Sequence, residues 1–235
     1  PTRRSSDLEA FAAAHGRRRR VFIQSMSDLF DLEASLAWFR EAWQEIDKAE
    51  HLDIQIVTKR VSVVEKRLAA IGYLGWPQHA GLIASVGNQD EANRDVPRLL
   101  RLKATRGIPW VGLSMEPLLG PIALSPKARD LARVLAGSIQ PSGWSADIYN
   151  PLTGRWEADN DETGSSTSWG FGPKLDWIII GGESGAHARP FEIAAATEII
   201  NQCILARVPV FMKQVGNKPV LFGDRYPATG KGLDM

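Results

Sequence analysis

The stretch "WIIIGGESGAHARPF", residues 177–191, decides how the rest of the chain is read. An apolar run, Trp177–Ile180, opens into Gly181-Gly182-Glu183-Ser184-Gly185, and a helical apolar pattern follows Pro190. Strand, small polar loop and helix in that order make one βα unit. The run is continuously apolar rather than alternating, as in strands covered on both faces. Glycine lets backbone approach a ligand closely. A helix starting near Pro190 would aim its free N–H groups at the same loop and favour an anion there. The competing reading is a tight turn with a capping carboxylate.

The same unit recurs outward from this stretch. Apolar or β-branched runs stand at Val21–Ser25, Asp53–Thr58, Leu82–Val86, Trp110–Ser114, Trp177–Gly182 and Val208–Lys213. Helical stripes lie between them: Leu32, Leu36, Phe39, Trp43 and Ile46; then Val64, Leu68 and Ile71; then Val96, Leu99 and Leu100 after a polar lead-in. Ser125-Pro126 makes a cap and first turn for another helix through Leu135. In the last helix, Ile193, Ala196, Ile200, Cys203 and Ile204 are expected to face inward. Repeating βα units predict an α/β fold, a partial (β/α) TIM-type barrel with at least six units, truncated at both ends. A doubly wound open parallel sheet is the alternative. The gap before Trp177 is twice the usual length. Its Gly/Ser/Thr-rich residues, about 137–173, read as a rim insertion with a small hairpin turning at Asn150–Gly154.

Ligands of either architecture bind at the C-terminal ends of the strands. Those ends carry Asp28; Lys59 and Arg60; Asn88; Glu116; Gly181, Gly182, Glu183, Ser184 and Gly185; and Lys213 and Gln214. Candidate catalytic groups are Glu116, Glu183, Lys59 and Lys213, the two carboxylates serving as acid and base if partly desolvated. Candidate cofactor-binding groups are Gly181, Gly182, Ser184, Gly185, Arg60, Asp28 and Gln214. The basic residues suit a small molecule or phosphate-bearing ligand at the barrel mouth. The bland reading is that these charges solvate loops or pair with one another.

Lys and Arg number 28 against 27 Asp and Glu, which disfavours a dedicated nucleic-acid binder, although nucleic acid remains a possible partner. No apolar run has the length of a membrane span. One cysteine, Cys203, excludes a disulfide framework, fits a reducing, cytoplasmic setting and reads as a core residue; no metal site is expected. Four histidines lack metal-ligand spacing. Of the tryptophans, Trp38 and Trp43 read as helix packing, and Trp144, Trp156 and Trp169 as a stacking surface or a loop mini-core. Residues 1–8, "PTRRSSDL", read as a non-native, adapter-derived tail, residues 9–217 as one domain and 218–235 as a truncated C-terminal segment.

Six ordered blocks, "SMSDLF", "IVTKR", "SVGNQDEANRDVPRLL", "GLSMEPLLGPI", "DWIIIGGESGAHARP" and "VPVFMKQVG", resemble the bacteriophage gene-product thirty-seven/sixty-eight family, a domain of unknown function. The resemblance covers about residues 21–217. It implies an enzyme similar to radical-SAM proteins, in which three clustered cysteines hold an iron–sulfur cluster that binds S-adenosylmethionine in a partial barrel. This chain has no such triad, so the implied cofactors belong to a longer form, and the chain as given is expected to be inactive in that chemistry. "GGE" at 181–183 is similar to the SAM-contacting segment of those enzymes, but it follows a late strand rather than an early one, so that role is not transferred. A non-catalytic phosphate or nucleic-acid binding accessory protein and a cluster-independent enzyme with paired carboxylates are the alternatives.

Overall fold

A computed structural model describes residues 3–23, 27–124, 148–160, 165–221 and 224–225. Six parallel strands form the main sheet: β1 (Arg19–Ile23), β2 (Leu52–Thr58), β3 (Ala80–Ser85), β4 (Val111–Met115), β8 (Trp177–Gly181) and β10 (Val210–Gln214). Their order in space is their order in the chain, and the sheet curls into a half-barrel with β1 and β10 as its edges. Described helices are α1 (Arg3–His15), α2 (Leu36–Lys48), α3 (Val64–Ala70), α4 (Gln89–Arg106) and α5 (Ile193–Ala206). The expected helix from Ser125 lies outside the described residues.

Alternation along each strand divides the sheet into two faces. Ile54 and Ile56, Leu82 and Ala84, Val111 and Leu113, and Ile178 and Ile180 join one large core with Phe39, Trp43, Leu68, Leu99, Leu100 and Ile199 of the helices. Burying each large aliphatic side chain contributes about 1.5–3 kcal/mol. The opposite residues, Val57, Ile83 and Ile179, form a smaller apolar belt on the concave face, with Trp110 and Trp177 against it.

Caps explain several helix ends. Ser35 accepts from the Trp38 N–H at the start of α2. Asn88 accepts from the Glu91 N–H, while Glu91 reaches back to the Gly87 N–H, which fixes α4. Gly107, at φ 67°, ends α4 in the left-handed region.

The structure corrects four positions in the helix reading. Leu32 precedes α2 and is 53% exposed, because the helix starts only after the Ser35 cap. Leu36 and Trp38 are exposed as well; the α2 face that packs is Phe39, Trp43 and Ile46. Ile204 is 64% exposed, since Ala195, Ala196, Ile199 and Cys203 make the buried stripe of α5.

Pro190 does not open a helix. Phe191–Glu192 form a short strand, β9, and α5 starts at Ile193. The chain is extended there because β9 pairs with β11 (Pro219–Leu221), which also pairs with β12 (Asp224–Arg225).

The rim insertion carries the expected hairpin and one strand more. β5 (Ile148–Asn150), β6 (Arg155–Asn160) and β7 (Ser165–Phe171) form an antiparallel sheet. At the turn, Asn150 accepts from the N–H groups of Leu152 and Thr153. Gly154, at φ 72°, closes the turn by donating its N–H to the Asn150 carbonyl. Tyr149 and Trp156 lie with ring centroids 4.5 Å apart and join the main core with Leu152. At the N-terminus, α1 begins at Arg3, inside the segment set apart in the sequence. No described helix is long and apolar enough to cross a membrane.

Candidate functional site at the half-barrel mouth

A cavity of about 650 Å³ lies at the C-terminal ends of the strands. Its lining comes from the loop after β1 (Ser27, Asp28), the end of β2 (Val57–Arg60), Ser85 of β3, Ser114 of β4, Glu116 and Lys213 of β10, with Phe22 at one side. Five of the residues nominated from the sequence are therefore brought together: Asp28, Lys59, Arg60, Glu116 and Lys213.

Asp28 is the organiser of the β1–β2 corner. Its carboxylate accepts from Thr58 Oγ1 at 2.8 Å, from the Lys59 N–H at 2.9 Å and from the Phe30 N–H at 3.0 Å. Thr58 Oγ1 in turn accepts from the Arg60 N–H at 2.9 Å. These bonds hold the backbone from which Lys59 and Arg60 project. Arg60 donates to Asp31 at 3.1 Å. Lys213 meets Glu116 at 2.7 Å, an ion pair across the cavity wall. Lys59 has no side-chain hydrogen bond or ion pair among the described residues, so its ammonium is available to a ligand.

Ser85 and Ser114 were not singled out in the sequence. They stand directly opposite each other on β3 and β4, on the concave face, so two hydroxyls sit side by side on the cavity floor. The signal was present in strand parity. Ser114 alternates with Leu113 and Met115, which face the helices.

The glycine loop plays a different part. Glu183 accepts from the Arg189 backbone N–H at 2.8 Å and from its guanidinium at 3.0 Å and 3.2 Å. The guanidinium hydrogen bonds, reinforced by that N–H, hold the Glu183 carboxyl below the usual carboxylate range. Glu183 does not line the cavity, and Glu116 and Glu183 engage different cations rather than each other.

Gly182 is needed for close approach. A Cβ there would fall 2.3 Å from the Val215 carbonyl oxygen. A Cβ on Gly181 would meet the Glu116 side chain at 3.1 Å, so this glycine makes room for that carboxylate. Gln214 donates its side-chain amide to the Gly182 carbonyl at 2.7 Å. Gly185 accepts from the Asn217 side chain at 3.2 Å, and Ser184 stays in the exposed part of the loop.

The thiolate requirement of an iron–sulfur cluster can be tested on these residues. Cys203 is fully buried on α5 among core side chains, and burial pushes its thiol up to about 11. It does not face the mouth cavity, so this chain's residues do not fit a cluster. Among the described residues, no three His, Cys, Asp or Glu side chains gather as metal ligands.

Over residues 2–234 the sequence matches the family described as "Protein of unknown function (DUF5131)". The match supplies a domain of unknown function and nothing on phage origin or radical chemistry. No curated protein and no solved structure matches it. With nearly its whole length inside the match, this half-barrel chain belongs to the DUF5131 family.

Proposed function

We propose that the mouth binds a small ligand carrying a phosphate or carboxylate group. The observation that carries this reading is the Lys59 ammonium, held at the cavity edge by the Asp28 network and unpaired among the described residues. Lys59 supplies the first charge, and the Ser85 and Ser114 hydroxyls donate from the floor. Lys213 is shared between Glu116 and the ligand. Glu116 beside Lys213 also gives the site a group able to take or return a proton next to a bound substrate. An extended nucleic-acid backbone suits the site less well, because the chain as a whole is nearly neutral.

Calorimetric titration with pyrophosphate and with succinate at low salt tests this. One of them should bind saturably, and Lys59→Ala should weaken it by about 10- to 100-fold, the worth of a charge-assisted hydrogen bond. Glu116→Gln should tighten it by releasing Lys213. Failure of both anions to bind, or binding indifferent to Lys59→Ala, removes the reading.

A second reading is favoured by the architecture, six parallel strands curled as a half-barrel. In it, the mouth works beside an iron–sulfur cluster and S-adenosylmethionine held by residues outside this chain. It rests on analogy of fold alone. A complete gene with no cysteine triad ahead of Val21 would discard it.

A further inference from the structure

A second cavity, about 390 Å³, lies at the opposite, N-terminal end of the strands on the same concave face. It is bounded by Trp110 and Trp177 on the β4–β8 side and by Arg20, Asp53 and Gln55 on the β1–β2 side. None of these residues lines the mouth.

The tryptophan geometry is specific. A Cβ built on Gly81 would fall 2.1, 2.2 and 2.3 Å from three consecutive atoms of the Trp110 six-membered ring. An edge contact would bring one ring atom much closer than its neighbours. Nearly equal distances place the ring with its flat face over Gly81. The missing side chain at Gly81 is what seats the ring there. Trp177 stands beside a second glycine, Gly112, its register partner on β4.

The polar wall is equally selective. Gln55 is mostly buried, at 7% exposure, and its side-chain amide, with no hydrogen bond among the described residues, opens onto the cavity. Among the described residues, Asp53 has a single ion pair, a 3.7 Å contact with Arg18. Arg20 stands opposite Asp53 across β1 and β2, with no ion pair among the described residues.

We infer that this cavity binds a planar nitrogen heterocycle of the nucleobase type. An indole with one face fixed by packing offers its other side as a flat platform on which a base can stack. An amide that both donates and accepts matches the edge of such a ring, as Gln does with adenine. Asp53 accepts from a ring or exocyclic N–H, and Arg20 donates to a carbonyl or stacks over the exposed face. The cavity volume lies within the range of small-molecule sites.

Calorimetry with adenosine, which carries no phosphate, tests this independently of the mouth. Methyl glucoside serves as a non-planar comparator. Adenosine should bind saturably and the glucoside should not. Gln55→Leu should weaken adenosine by about tenfold or more, the worth of one satisfied amide. Gly81→Ala should also weaken it by unseating Trp110. Lys59→Ala should leave it unchanged. If Gln55→Leu lacks the native circular dichroism spectrum, Asp53→Asn takes its place with the same expected loss. Absence of adenosine binding overturns the proposal, as does preference for the glucoside. Binding indifferent to both Gly81→Ala and the polar-wall variant also overturns it.

Discussion

At the residue scale, glycines on the concave face act by what they leave out. Gly81 is the sharpest case, because the Trp110 ring occupies the space its side chain would need. Gly81→Ala should therefore cost about 1–3 kcal/mol, as overpacking does. The neighbour that yields is a ring bordering a cavity, so the near-ultraviolet circular dichroism of tryptophan should change with the melting temperature. In a Trp110→Ala background the same substitution should cost much less, because the clash disappears with the ring. An unaltered spectrum and midpoint for Gly81→Ala would contradict the packing. This constraint was not legible in the sequence. "AGLIAS" reads as strand whichever neighbour Gly81 meets. Ser85 and Ser114 are different: they were passed over, although period-2 parity would have set them on the face opposite the helix-facing residues.

At the scale of elements, the loop from Gly181 to Pro190 shows where local reading ends. Its glycines, its carboxylate and its place after a strand were all visible. The partner of Glu183 was not, because six residues of loop must fold back before Arg189 reaches it. Nor was β9, whose pairing depends on β11, nearly thirty residues later. The Glu183–Arg189 contact has a pH signature. A carboxyl held below its ordinary value of 4.5 contributes stability that is complete above that value. The contribution is lost as pH falls through the lowered value. Urea midpoints of the parent and Glu183→Gln should differ at neutral pH and converge under acid. A gap that persists in acid would show that the pair is not its source. The contact is exposed to solvent, so added salt should narrow the gap as well.

At the scale of the whole molecule, the βα repeat made the strand runs and helices legible, since each could be read alone, but not their order in space, because a barrel and a doubly wound sheet share the same alternation. The insertion could be read only in part. Its hairpin turn has a local signal, but its attachment depends on Tyr149, Leu152 and Trp156 entering the core of the half-barrel. Tyr149 fixes this by donating its hydroxyl to the Pro173 carbonyl. Shared packing makes the insertion sheet and half-barrel one cooperative body. Trp156→Ala should destabilise the whole by about 3–5 kcal/mol. Far-ultraviolet circular dichroism and tryptophan fluorescence should then report one coincident transition. Separate midpoints would mean that the insertion unfolds on its own.

The belt of Val57, Ile83 and Ile179 spans the concave face between the two cavities. The two linings have no residue in common. The trough thus offers two addresses on one face, and a substitution in either lining leaves the side chains of the other in place.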